Sequence, residues 1–356
     1  MTKRTMAFKI TLQPSGRTYD APPDTTVLNA GLEAGLSLPY SCRAGTCRTC
    51  KARIEQGTVD HGGAHPFYLP DDQKAQGYAL LCKAKPLSDL VVHVQELSLQ
   101  STRPRIVPCR VKRVSRPAPG IAVMELRLPM NENLLFAAGQ FVDFLLPDGQ
   151  TRSYSIATAP RAEGVIDLEL HLRHTPGGLF TDRVFGSEME GSLLKFRGPL
   201  GSFYLREDSS RPIVLLASGT GFAPIKAIVD YARSRGIDRP MRLYWGGRRP
   251  ADLYMDSLAR QWASEMPSFD YVPVLSDAAE ADRWSGRTGL VHEAVMADHP
   301  SLAGHQVYAC GSLAMVDAAR RDFTSLRGLP ESEFLSDAFL TEAERAAADK
   351  ASEPAI

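Results

Sequence analysis

The arrangement of four cysteines constrains this chain more than any other feature. Cys42, Cys47 and Cys50 follow the pattern C-x4-C-x2-C, and 31 residues separate Cys50 from Cys82. That spacing is suited to a [2Fe–2S] cluster, in which four thiolates hold two irons and one tight loop supplies three of them. Ala44 and Gly45 keep the loop small, so its backbone N–H groups can approach the sulfides, and Arg43 and Arg48 flank it. A structural zinc site usually brings two short C-x2-C knuckles, whereas Cys82 stands alone in the segment 77–84, so zinc or four core thiols fit less well.

The chain of 356 residues is too long for one hydrophobic core, and two or three domains are expected. Its formal net charge is zero, which gives no support to a general attraction to nucleic acid or to an anionic membrane. Residues 1–16 lack the apolar run of a signal peptide, and no stretch of ~18 apolar residues follows. A cytoplasmic protein is expected. Six cysteines, four of them between positions 42 and 82, are a metal-binding pattern for a reducing compartment and not a disulfide framework.

Patterning divides the chain into parts. Residues 1–98 read as a small α+β domain of the β-grasp kind, with a hairpin at Pro14-Ser15-Gly16 and a helix over 25–35. Residues 99–108 lose periodicity and read as a linker. Over 109–208 six short alternating runs predict an antiparallel β-barrel. Over 209–340 strands alternate with helix-length segments, which predicts a doubly wound α/β domain with a parallel sheet. The tail 341–356, rich in alanine and charge, reads as frayed.

Two constellations sit on these last two domains. Arg152-Ser153-Tyr154-Ser155 follows a Pro-Asp-Gly turn: an arginine fork can grip pyrophosphate, an aromatic ring can lie against a flavin, and a serine hydroxyl can reach its N5. Downstream, His171, Arg173 and the pair Gly177-Gly178 lead into a helix carrying Thr181, whose free N–H groups would bind a second phosphate. His171 and His174 have no carboxylate or cysteine at metal spacing and read as cofactor-edge or surface residues. In the α/β part, Gly219-Thr220-Gly221 ends a buried strand and Pro224 lies in the first turn of the next helix, a setting for a dinucleotide pyrophosphate. Cys310-Gly311 ends the last parallel strand, where ligands meet such a sheet. Arg248 and Arg249 follow the second strand and either meet a 2′-phosphate or cap a solvated loop. Cys109, apart from these groups, reads as a core thiol.

Residues 38–50, Leu-Pro-Tyr-Ser-Cys-Arg-Ala-Gly-Thr-Cys-Arg-Thr-Cys, resemble the cluster loop of plant-type ferredoxins. The resemblance implies that Cys42 and Cys47 share one iron and Cys50 and Cys82 the other. Residues 152–155, 171–181 and 198–203 together resemble the ferredoxin–NADP reductase superfamily. That likeness implies an FAD barrel, places Cys310 beside the nicotinamide ring, and makes Phe339 an aromatic near the isoalloxazine. Ser312 stands where the superfamily more often has proline.

The order ferredoxin, flavin barrel, nucleotide domain is similar to that of oxygenase reductases, and residues 246–254 also resemble the reductase of a deoxysugar dehydratase system. The expected chemistry is hydride transfer from NADH, with NADPH as the alternative, to FAD near Ser155 and Cys310, then single electrons through the cluster to a protein acceptor. That acceptor is expected to be an iron-containing oxygenase component. A redox-sensing binding module is the reading from another class, and no DNA-binding helix pair or basic stripe supports it.

Overall fold

The computed structural model describes residues 7–97, 103–340 and Glu344. The expected tail 341–356, apart from Glu344, lies outside the described residues, as do residues 99–102 of the expected linker. The chain divides into two compact units, one holding the chain up to Ser101 with the segment from Ala338, the other Thr102–Asp337.

In the first unit β1 (Phe8–Gln13), β2 (Thr18–Ala21), α1 (Val27–Glu33), β3 (Lys51–Gln56), β4 (Val59–Asp60), α2 (Asp71–Ala75), β5 (Tyr78–Leu80), β6 (Lys85–Pro86) and β7 (Leu90–His93) follow one another. The main sheet runs β2-β1-β7-β3-β5, with β4 and β6 as a separate pair. The hairpin forms where expected, because Gly16 takes φ +71 and Gly16 N–H closes on Leu12. Helix α1 is shorter than its pattern suggested: Thr26 caps it, accepting from Asn29 N–H at 3.2 Å, so the residues before it stay outside. Its buried face, Val27, Leu28 and Ala30, joins a core with Ile10, Leu12 and Val92.

The second unit opens with six strands: β8 (Arg105–Ala118), β9 (Ile121–Arg127), β10 (Phe141–Leu145), β11 (Thr151–Ser155), β12 (Asp167–Arg173) and β13 (Leu193–Leu200), with α3 (Leu179–Gly186) between the last two. Their order is β11-β10-β13-β8-β9-β12, and an antiparallel bridge between Ile156 and Leu170 joins the two ends into a barrel. Strand β8 begins at Arg105, inside the expected linker. Val107, Cys109 and Val111 point inward as a period-2 set, while Pro104 and Pro108 had hidden the start from sequence. The core thiol reading of Cys109 holds: it is 3% exposed, and burial pushes its thiol up to about 12.

The rest of this part of the chain holds β14 (Ile213–Ser218), α4 (Phe222–Arg235), β15 (Met241–Gly247), α5 (Asp256–Glu265), β16 (Phe269–Leu275), β17 (Arg287–Thr288), α6 (Val291–Asp298), β18 (Gln306–Ser312), α7 (Leu313–Leu326) and β19 (Phe334–Phe339). The sheet order β17-β16-β15-β14-β18-β19 places β14 centrally, with parallel partners β15 and β18. That position explains why β14 is apolar from Ile213 to Ala217 without alternation: both its faces are covered. The sheet reverses its winding between β14 and β18, which leaves a crevice at their carboxyl ends. Among the described residues no helix is long and apolar enough to cross a membrane.

Candidate electron-transfer and nucleotide sites

The loop between α1 and β3 turns back on itself through three left-handed residues, Arg43 (φ 55), Gly45 (φ 83) and Arg48 (φ 59). Two of these are not glycine, a conformation that holds only where surrounding contacts impose it. Arg48 is tied down by a 2.9 Å hydrogen bond to Phe67 O and by stacking against the rings of Phe67 and Tyr68. The result points donors inward: Ala44 N–H, Cys47 N–H and Thr46 Oγ1 each lie 3.4 Å from Cys42 Sγ.

The four thiols meet as two pairs, Cys42 with Cys47 and Cys50 with Cys82. The Cys42 thiol is held well below its ordinary value, first by the hydrogen bond from Cys47 and then, against burial, by Thr46 and the two backbone donors. Cys47 and Cys50 are pushed up by donating to their partners and by burial. Two thiol pairs, with two N–H groups and a hydroxyl directed at Cys42 Sγ, are a four-thiol donor set that fits a [2Fe–2S] cluster.

On the barrel, β11 pairs with β10 in the register Phe144↔Arg152, Val142↔Tyr154 and Phe141↔Ser155. Alternation puts Arg152 and Tyr154 on one face, half-buried, and Ser153 and Ser155 on the other. Tyr154 packs against Phe144 and Phe180, at 5.9 and 5.6 Å between ring centroids. Ser153 Oγ donates to Asp143 at 2.6 Å. A guanidinium fork, a half-buried aromatic face and a buried hydroxyl at the strand's end are a donor set that fits a flavin dinucleotide.

At the start of α3 the expectation needs correction. Neither diglycine N–H is open: Gly177 donates to Asp182 at 3.0 Å and Gly178 to Thr175 O at 2.9 Å. Thr181 Oγ1 likewise turns back to Thr175 O at 3.0 Å. Asp182, in the first turn, is drawn to the positive end of the helix. The donors left for an anion are the N–H groups of Leu179 to Thr181, which have no partner within the helix.

The nucleotide turn forms as its glycines suggest. Gly219 takes φ +53, and a Cβ on Gly221 would lie 2.1 Å from Cys310 O. On the facing strand Gly311 takes φ +140, and a Cβ there would meet Ser218 Oγ at 2.2 Å. So β14 and β18 end in mutual contact, sealed by Ser312 N–H donating to Ser218 Oγ at 3.0 Å. Ser312 also accepts from Met315 N–H as the N-cap of α7, a role that proline could not take. Thr220 is buried in the turn and Pro224 in the first turn of α4. This tight glycine turn, opening a long helix at the sheet's crevice, fits a dinucleotide pyrophosphate.

Ser155 and Cys310, from different halves of this unit, are brought together by a residue that pattern alone did not mark. Asp337 on β19 is buried, its Oδ2 lies 3.5 Å from Ser155 Oγ, and its charge reaches Cys310. Burial first, and Asp337 second, push the Cys310 thiol well up, so it stays protonated. Phe339 closes the same strand two residues on and is half-buried.

His171 is neither a surface residue nor free to face a cofactor through its nitrogens. It is 3% exposed, with Nδ1 2.8 Å from Tyr254 Oη and Nε2 2.8 Å from Glu169 Oε1. His174, at the exposed edge, pairs with Asp182 at 2.8 Å and stacks on Phe185. Arg173 extends over Gly219 and reaches Asp252 at 3.5 Å. Lys226, Trp245 and Tyr254 were also missed; the available signal was the period-2 run Glu169, His171, Arg173 on a strand whose other face is apolar. Of the two loop arginines, Arg249 is committed to Asp282 by bonds of 2.7 and 2.8 Å, while the exposed Arg248 side chain has no partner among the described residues.

Three family models match in sequence: the 2Fe-2S iron-sulfur cluster binding domain over residues 10–87, the oxidoreductase FAD-binding domain over 108–204, and the oxidoreductase NAD-binding domain over 215–321. The chain is 39% identical over 336 residues to the CDP-6-deoxy-L-threo-D-glycero-4-hexulose-3-dehydrase reductase of Yersinia pseudotuberculosis, covering 94% of this chain and 99% of that protein. It is 33% identical to reductase component 2 of terephthalate 1,2-dioxygenase from a Comamonas species, covering 94% and 98%. The crystal structure of the Amycolatopsis cytochrome P450 reductase GcoB superposes with a TM-score of 0.73 at 36% identity, covering 93% of this chain and 98% of that one. The chain therefore belongs to the family of three-domain NAD(P)H-dependent reductases, and it is an oxidoreductase that moves electrons from a nicotinamide nucleotide through FAD to a [2Fe–2S] cluster.

Proposed function

We propose that this reductase delivers single electrons from NADH to an iron-containing oxygenase component in the cytoplasm. The observation that carries the reading is end-to-end similarity to a dioxygenase reductase and a cytochrome P450 reductase, across all three parts of the chain. Outside the cluster set, Cys109 and Cys310 are unbridged thiols, which supports a reducing compartment.

Cys42 and Cys47 would hold one iron, Cys50 and Cys82 the other. Arg152 would grip the FAD pyrophosphate, with Ser153 bracing the strand through Asp143, Tyr154 facing the ring, Ser155 meeting its N5 edge, and the N–H groups of Leu179 to Thr181 in the first turn of α3 taking a phosphate. Gly219, Thr220, Gly221, Pro224 and Gly311 would receive the nicotinamide nucleotide, with Cys310 against its ring and Phe339 on the flavin side. FAD held there would supply the conversion between a two-electron hydride donor and a one-electron cluster. Asp337 orients the Ser155 hydroxyl, and the buried Cys310, kept as a neutral thiol, packs without reacting. The functional parts run to residue 98, from 105 to 208 and from 209 to 340, with β8 claiming the end of the expected linker.

The choice of NADH rests on the arginine loop. With Arg249 held by Asp282, one guanidinium remains for a 2′-phosphate, whereas tight recognition of that group generally uses several donors. A second client is favoured by 39% identity to a hexulose-dehydrase reductase: a dehydratase in place of the oxygenase.

The test is anaerobic reduction by NADH followed by turnover with cytochrome c, then with a purified oxygenase and a purified dehydratase. Continuous reduction with faster transfer to the oxygenase supports the proposal. Preference for the dehydratase shifts the client, and a single reduction without turnover points to a sensor.

A further inference from the structure

The face of β12 that turns away from the barrel core carries three polar residues in register, and each meets the nucleotide-binding part of the same unit. Glu169 Oε1 lies 3.3 Å from Lys226 Nζ on α4, His171 Nδ1 lies 2.8 Å from Tyr254 Oη, and Arg173 lies 3.5 Å from Asp252. Lys226 is held in turn by Asp230 at 3.1 Å and Ala157 O at 3.4 Å.

The middle rung has a defined polarity. His171 Nε2 faces the Glu169 carboxylate at 2.8 Å, and an ionised carboxylate only accepts, so Nε2 carries the hydrogen. Nδ1 is then the acceptor and the Tyr254 hydroxyl the donor. Tyr254 stands edge-on to Trp245, at 5.3 Å and 87°, and Trp245 Nε1 donates to Gly219 O at 3.1 Å. His171 also lies parallel to Phe222, the first residue of α4, at 6.4 Å and 17°. A continuous run of contacts thus links the strand after the flavin residues to the glycine turn.

We propose that His171 is a positioning residue for the nicotinamide nucleotide, acting through Tyr254 and Trp245 to hold the Gly219–Gly221 turn in its binding shape. The imidazole is the one part of the run that bonds to both sides, Glu169 and Tyr254, and its tautomer gives the run a direction. This inference rests on the reading that the turn receives the nucleotide's pyrophosphate.

The experiment measures NAD⁺ binding to the oxidised, flavin-loaded protein by calorimetry, which involves no turnover, and amide hydrogen exchange across residues 216–222 without nucleotide. Three single variants separate the contacts. Tyr254→Phe keeps the ring and deletes the hydroxyl. His171→Gln places its amide near Nε2 and gives up the Tyr254 bond, and His171→Asn places an acceptor near Nδ1 and keeps it. Tyr254→Phe and His171→Gln should each weaken NAD⁺ binding roughly tenfold, equivalent to about 1.4 kcal/mol, and speed exchange in the turn. His171→Asn should restore most of the affinity, and the double variant His171→Gln/Tyr254→Phe should be no weaker than either single. Wild-type affinity and exchange in Tyr254→Phe, or losses that add in the double variant, overturn the proposal. If His171→Gln does not fold, Tyr254→Phe alone carries the decision. If the wild-type protein binds no NAD⁺, the reading of the site fails, while the exchange data still decide whether His171 holds the turn.

Discussion

Gly221 lies so close beneath the Cys310 carbonyl that a Cβ would stand 2.1 Å from its oxygen. The obstacle is backbone on both sides, so no side-chain rotation relieves it. Gly221→Ala should cost about 1–3 kcal/mol of stability through a forced shift of β14 or β18. It should also weaken nucleotide binding roughly tenfold, since a small displacement of a phosphate-binding turn is costly. Thermal melting and NAD⁺ calorimetry check this; an unchanged protein would mean that the two strand ends separate easily.

Cys82 supplies one thiol of the second pair from outside the loop. Cys82→Ser should abolish the visible absorbance of the cluster and transfer to the physiological acceptor, because a neutral hydroxyl is a poor ligand for iron. Reduction of ferricyanide by NADH should persist, since bound flavin can serve that acceptor directly. Loss of both activities together would break the assigned electron order.

His171 gives a signed dependence on pH. Burial, outweighing the pull of Glu169, lowers its pKa from the ordinary value of 6.5. The unfolded chain therefore gains a proton near pH 6.5 that the folded chain still refuses. Stability should fall as pH drops below about 6.5 toward the folded value, by at most about 1.4 kcal/mol per pH unit, and should not change on this account above it. His61, His299 and His305 are shifted the same way, so the measurement is the difference between wild type and His171→Gln. The variant should show a shallower loss of melting temperature between pH 7.5 and pH 5.5, roughly one proton's worth.

Arg248 stands exposed at the end of β15 with its guanidinium unpaired among the described residues, so its contribution depends on whether a 2′-phosphate is present. Arg248→Ala should lower kcat/KM for NADPH by roughly tenfold and for NADH by less, raising the preference for NADH. Equal losses would place Arg248 on a part of the nucleotide common to both.

Much of this protein was legible in the chain itself, for local reasons. The hairpin and the turn after β14 depend on glycines with positive φ, Gly16 and Gly219, and the change from barrel to α/β sheet on a switch of hydrophobic period; all are set by neighbours in sequence. What escaped depends on partners far along the chain. The start of β8 was masked by Pro104 and Pro108, and it became a strand because β13 pairs with it from Arg105 onward. Free donors were expected at Gly177 and Gly178, but Asp182 and Thr175 take them once the helix folds back. Asp337, 182 positions from Ser155, and Tyr254, 83 from His171, acquired their roles only when the sheets stacked. Spacing records which atoms one loop can bring together, whereas a buried polar side chain finds its partner wherever packing has excluded water, and that is decided by the whole fold.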